Sequence, residues 1–292
     1  MRTVLTSLAL LAPLVAQGPS PERGRTADHA TAAVRELRDV AYVGDGAAAA
    51  TEPKQRLDLY LPPVPATGKV PLVMFVHGGG WRFGDRAPYQ PLGRLFAANG
   101  IGCAVISYRL SPAAAHPAQV EDCAAALRWL VAHGADLGCD ARHIVLCGHS
   151  AGAHLVALLA TDRARCGDAA GAIAGVVPIS GPYDVTAPLP LFVEVFGKDA
   201  GDRRDASPIA HVDGGAPPFL VLWGSDDMPG LPALARMFAA RLRRAEVPVE
   251  AVEVAGRNHH SILAGFATPA GDEVTQRIVA FVKTRVAAAT AR

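Results

Sequence analysis

The stretch Gly148-His149-Ser150-Ala151-Gly152 decides how the rest of this chain is read. It lies between an apolar strand signal, His143–Cys147, and a helix signal, Ala151–Thr161. G-x-S-x-G in that setting is the pattern of a nucleophile elbow. A strand that turns abruptly into a helix holds its serine in a strained conformation, and glycine on either side lets the neighbouring backbone pass. Ser150 Oγ is therefore expected at the tip of the turn, near the positive end of the following helix.

Outward from the elbow, strand and helix signals alternate. Leu72-Val73-Met74-Phe75-Val76, within Pro71–Val76, is apolar throughout, as a strand covered on both faces requires. In Arg56–Leu61 the leucines alternate with Asp58 and Tyr60, the pattern of a strand with one buried face. Further strands are predicted at Val40–Val43, Ile101–Ser107, Ile173–Ile179, Phe219–Trp223 and Val249–Val254. Helices are predicted at Gln119–Ala132, Leu231–Ala245 and Thr275–Val286, besides the one after the elbow. Strands alternating with helices imply an α/β fold, a mostly parallel sheet with helices on both faces. The early strands lack intervening helices, so that end of the sheet is expected to be antiparallel. The chain reads as a single domain over residues 39–290, with no internal repeat.

Three segments supply the groups that an activated serine needs. His77-Gly78-Gly79-Gly80-Trp81 follows the apolar strand ending at Val76 and exposes backbone N–H groups. Tetrahedral intermediates of acyl transfer need such donors, each worth roughly a hundred- to thousand-fold in rate. Gly79, Gly80 and Ala151 are the expected donors. The loop departs from G-x-G-x-x-G at its last position, and no G-x-x-x-x-G-K-[ST] occurs, which sets nucleotide binding aside. A serine also needs a base, and the base a carboxylate to orient it. In the order Ser, Asp, His, Phe219–Trp223 leads into Gly224-Ser225-Asp226-Asp227, and Val249–Val254 into Gly256-Arg257-Asn258-His259-His260. Asp227 is preferred over Asp226, which alternatively braces the loop, and His259 over His260, which lines the acyl pocket or is exposed. His154 is read as packing beside the elbow, and His77 as stabilising the glycine loop through hydrogen bonds. Metal ligation by His77, His149 and His154 lacks an H-E-x-x-H or comparable carboxylate cluster.

Composition narrows the function classes. Of 292 residues, 28 are basic and 27 acidic, so there is no electrostatic case for nucleic acid or an anionic membrane surface. With 50% hydrophobic residues the chain is not intrinsically disordered. Met1–Ala16 has a basic start and an apolar run too short to span a bilayer, the pattern of a secretory signal. Export to the periplasm or medium is expected, without a stable membrane anchor, and residues 17–38 are expected to form a linker. The five cysteines show no C-x-x-C spacing, and their odd count leaves at least one thiol free. Most are read as small buried apolar side chains.

His77–Trp81, Ser107-Tyr108-Arg109-Leu110, Gly148–His154, Ser180-Gly181-Pro182-Tyr183-Asp184, Gly224–Asp227 and Gly256–Ser261 occur here in the order seen in the α/β-hydrolase superfamily. The chain resembles its exported bacterial esterase branch, the feruloyl and acetyl-xylan esterase-like enzymes, with kynurenine formamidases as relatives. The resemblance spans roughly residues 40–286. It implies an eight-stranded sheet, nucleophile Ser150, acid Asp227, base His259, and an oxyanion hole at the His-Gly-Gly-Gly loop and Ala151. It also implies a small-molecule or carbohydrate ester as substrate, with no metal or organic cofactor. His260 stands where the family carries an aromatic. Trp81 and His149 are further expected substrate contacts, and Phe192 and Phe196 are either walls of a small cap or ordinary helix packing. An exopeptidase, an arylformamidase and a non-catalytic binding protein are the competing readings on the same fold.

Overall fold

Side-chain alternation in the central strands sorts apolar groups onto two faces of one sheet, and each face collects its own layer of helices. The structure is a computed structural model that describes residues 33–44, 52–63, 69–268 and 271–291. Its strands are β1 (Arg35–Ala41), β2 (Arg56–Leu61), β3 (Val70–Val76), β4 (Gly102–Ile106), β5 (Cys139–His149), β6 (Ile173–Ile179), β7 (Phe219–Asp226) and β8 (Val249–Asn258). The helices are α1 (Gln90–Ala98), α2 (Ala118–His133), α3 (Ala151–Thr161), α4 (Pro190–Phe196), α5 (Ala200–Asp205), α6 (Leu231–Arg244) and α7 (Glu273–Thr290).

The sheet has eight strands in the order β1-β2-β4-β3-β5-β6-β7-β8. Pairings from β4 to β8 are parallel; β1 with β2 and β2 with β4 are antiparallel. Leu72, Met74, Val76, Ile144 and Leu146 face the layer that holds α2, α3 and α6. Val73, Phe75, Val145 and Cys147 face the layer that holds α1 and α7. The alternation of one strand thus feeds two cores, as a doubly covered parallel sheet requires. All eleven residues of α3 are buried. A helix without charge can sit at the centre of its layer, enclosed on every side.

Several boundaries differ from expectation for identifiable reasons. The leader at residues 1–16 and the first part of the expected linker lie outside the described residues. Of the remainder of that linker, residues 35–38 form part of the sheet: β1 begins at Arg35, ahead of the expected domain start at residue 39. Its charged side chains and a register shift between Leu37 and Val40 break the period of two by which an edge strand is recognised. In β2 the supposed exposed face is covered as well. Tyr60 packs into the α1 layer, and buried Asp58 is paired with Arg86 (3.0 Å) and Arg38 (3.2 Å). α1, α4 and α5 are short, and only α1 carries a helical stripe, in Leu92, Leu95 and Phe96, which spans little more than one turn. All five cysteines are buried and unpaired. No helix among the described residues is long and apolar enough to cross a membrane.

Candidate active site

Strand order places the ends of β3, β5, β7 and β8 along one edge of the sheet, where successive loops converge. The β3–β5 neighbourhood is a topological switch point, where parallel α/β sheets open a crevice at their carboxyl ends. Ser150, immediately after β5, has φ 55° and ψ −117°, a conformation that costs a non-glycine residue on the order of 1–3 kcal/mol. The surrounding structure holds it there. The Ser150 N–H donates to Ile179 O (2.9 Å), and His154 N–H donates to Ser150 O (3.1 Å). Both flanking glycines are required by close approach. A Cβ on Gly152 would stand 2.1 Å from Val76 O, and one on Gly148 would stand 2.4 Å from Gly152 O.

Ser150 Oγ lies 2.9 Å from His259 Nε2, and His259 Nδ1 lies 2.7 Å from Asp227 Oδ1. The three residues come from the ends of β5, β8 and β7, so this relay exists only in the folded sheet. Burial opposes ionisation of Asp227, but donors from His259, Ser180 and the Met228 N–H outweigh it and hold the carboxyl at about 2. Asp226, by contrast, is exposed and lies in register with Asn258 of β8. Its carboxylate accepts from Ser225 Oγ at 3.1 Å. His260 is also exposed, its ring edge-on to His259 at 5.4 Å.

The glycine loop lies against the elbow: a Cβ on Gly78 would come within 3.1 Å of Ser150 Cβ. Among the described residues no acceptor meets the N–H of Gly79 or Gly80. The Ala151 N–H opens α3 and, like every first-turn amide, has no partner inside its helix. His77 braces this loop from beneath. Its Nδ1 donates to Gly78 O (2.7 Å), its ring stacks on Tyr108 at 4.4 Å, and Tyr108 OH donates to His77 O (3.1 Å). Burial pushes the His77 ring down to about 4, so it stays neutral and keeps one N–H for that bond.

Two expected substrate contacts are placed elsewhere. Trp81 is 2% exposed, and its ring meets His154, Phe192 and Phe196 edge-on at 5.1, 6.1 and 4.8 Å. It therefore does not line the entrance: the turn that ends the glycine loop directs the indole inward. Phe192 and Phe196 are turned inward onto it, the helix-packing alternative, and so anchor α4. His149 is buried too. Its Nε2 donates to the carbonyl oxygen of His259 (2.7 Å), which ties the elbow to the base loop instead of reaching toward substrate. His154 donates from Nε2 to Ala206 O (2.7 Å), in the packing role expected of it. Leu191 of α4 lies over the glycine loop, 3.7 Å from where a Gly80 Cβ would stand, and Arg82 pairs with Glu194 at 3.1 Å. Leu191 belongs to the Pro-rich segment in which a small cap is expected, and it is this residue rather than Phe192 or Phe196 that reaches the glycine loop.

An elbow serine, a glycine loop and a late-strand acid and base on one such sheet define a protein of the α/β-hydrolase fold. The chain belongs to the BD-FAE family, whose match covers residues 57–241. Probable carboxylic ester hydrolase LipM of Mycobacterium tuberculosis (strain ATCC 25618 / H37Rv) is 32% identical over 259 residues, covering 81% of this chain and 60% of LipM. Esterase LipC of the same strain is 35% identical over 231 residues, covering 71% of this chain and 57% of LipC. The chain thus spans less than two thirds of the length of these curated relatives. Among solved structures, a truncated carbohydrate esterase from gut microbiota superposes with a TM-score of 0.71 at 20% identity, covering 86% of this chain and 96% of that one. That likeness is one of fold.

Proposed function

We propose that this chain is a serine hydrolase that cleaves carboxylic esters through an acyl-enzyme. The observation that carries the reading is the relay from Ser150 Oγ through His259 to Asp227, at 2.9 and 2.7 Å. Ser150 attacks the ester carbonyl while His259 Nε2 takes its proton, and Asp227 holds the ring and stabilises the imidazolium. The N–H groups of Gly79, Gly80 and Ala151 receive the oxyanion. The imidazolium then protonates the leaving alcohol, and water, activated by the same base, releases the acid. Kinship with proteins named as esterases supports the choice of ester over other acyl compounds. Exposure of Gly79 and His260 beside Ser150 and His259 supports an ester whose alcohol part is bulky, such as an aryl or carbohydrate ester with a short acyl group. The pattern of residues 1–16 supports action outside the cytoplasm, which the N-terminus of the protein recovered from cell fractions would test.

The test is a panel of acetyl to octanoyl esters together with feruloyl esters and acetylated xylan, with Ser150→Ala as blank. Turnover by the wild type and its loss in a folded Ser150→Ala protein are expected. Near-wild-type activity in that variant overturns the mechanism.

A further inference from the structure

The residue that ends the strand next to the elbow carries a conformation usually left to glycine. Ser180, just after β6, has φ 55° and is 1% exposed. Its N–H donates to Leu222 O of β7 (2.8 Å), and its neighbour's carbonyl, Ile179 O, receives the Ser150 N–H (2.9 Å). The Ser180 hydroxyl donates to Asp227 Oδ2 at 2.5 Å. The direction of that bond is fixed, because an ionised carboxylate only accepts. One short turn therefore touches both the nucleophile's backbone and the acid's side chain.

We propose that Ser180 is a positioning residue for the hydrolysis, its hydroxyl locking Asp227 so that Oδ1 faces His259 Nδ1. This rests on the hydrolase reading above. The two oxygens of Asp227 are chemically equivalent, and only their partners tell them apart. Oδ1 accepts from His259 Nδ1 and from the Met228 N–H, both at 2.7 Å. Oδ2 has Ser180 and, more distantly, the Gly224 N–H at 3.4 Å. Without the hydroxyl, Oδ2 keeps only that long contact and the carboxylate is free to turn. The other titratable side chains around the pair, His149, His260 and Tyr183, give Asp227 no hydrogen bond. A glycine at this position would adopt the same backbone more readily but would supply no donor. The strained turn is thus occupied by a side chain whose hydroxyl has a specific use.

The test compares Ser180→Ala and Ser180→Gly with the wild type in kcat, KM, pH profile and the low-field proton resonance of His259 Nδ1–H. Loss of a charge-assisted donor predicts a fall in kcat of about 10- to 100-fold in both variants. KM should stay within about twofold, since the effect falls on the reacting groups. Less shared charge on Asp227 favours the imidazolium, so the acid limb should move to higher pH and the resonance should shift. The glycine variant, relieved of strain, should be at least as stable as the alanine variant. A glycine variant with wild-type kcat and pH profile overturns the role of Ser180 and leaves the hydrolase reading standing. So does a loss of kcat with an unmoved resonance and acid limb. A wild-type protein that turns over no ester and takes no phosphonate on Ser150 overturns both.

Discussion

The Nε2 of His149 donates a hydrogen bond to the backbone carbonyl of His259 at 2.7 Å, and the two rings lie 4.7 Å apart. The residue before Ser150 thereby holds the loop that carries His259, across 110 positions of sequence. Burial first, and the adjacent His259 second, push the His149 ring down to about 4, so it remains a neutral donor. Replacing it leaves a buried carbonyl without its donor, a cost of about 1–3 kcal/mol. His149→Ala is expected to lower both the urea midpoint and kcat, the latter by about tenfold as the base loop loosens. His149→Gln, which keeps an N–H, should recover part of each. Equal loss in the two variants would show that the hydrogen bond is not what matters.

Acid should weaken this protein before it protonates Asp227. His77 and His149 are held down to about 4 and His154 to about 3, in each case chiefly by burial, against an ordinary value of 6.5. Between those limits the unfolded chain binds more protons than the folded one, so stability falls as pH drops. The stabilisation of the neutral rings is fully present above 6.5 and is lost on acidification toward 4, at on the order of 1 kcal/mol per pH unit for each ring. The Asp227 contribution has its own window: it is complete above 3.8 and disappears only as pH falls toward 2. Urea midpoints at about pH 7.5, 5.5 and 4.5 check this. A midpoint unchanged across that range would contradict it.

Trp81 follows the glycine loop directly, yet its indole is a core side chain. Trp81→Ala is expected to cost about 3–5 kcal/mol through the cavity it opens between His154, Phe192 and Phe196. KM for a small ester should change little in the fraction that folds. Thermal unfolding and KM measured side by side decide between core and substrate contact. An unchanged melting temperature with a raised KM would place the indole in the binding site after all.

Local order is what a sequence displays, and here it was ample near the elbow. β5, α3 and the glycine loop announce themselves because their constraints act between near neighbours: apolar runs, a charge-free helix, glycines where the backbone crowds. The limits of β6 and α3 matched because burial on every side leaves a pattern unbroken by charge, and those of β2 because its leucines alternate with Asp58 and Tyr60. Of β1 only Val40 and Ala41 fell within the expected strand Val40–Val43, because an edge strand with a bulge and paired charges has no such pattern over its first residues. Ser180 was visible only as one residue of a motif, since nothing about a serine declares a partner 47 positions away.

The amino-acid order alone determined the fold class and the candidate groups, because elbow geometry and strand periodicity depend on steric rules that span a few residues. Which side each aromatic and histidine ring would face was decided by the folded sheet. Trp81 and His149 stand next to the key residues in sequence but are turned into the interior, where packing holds the first and the carbonyl of His259 the second. Ser180 is distant in sequence, and the parallel pairing of β6 with β7 brings it against Asp227. Direction and partner are set by contacts between strands, and those contacts exist only once the chain has closed on itself.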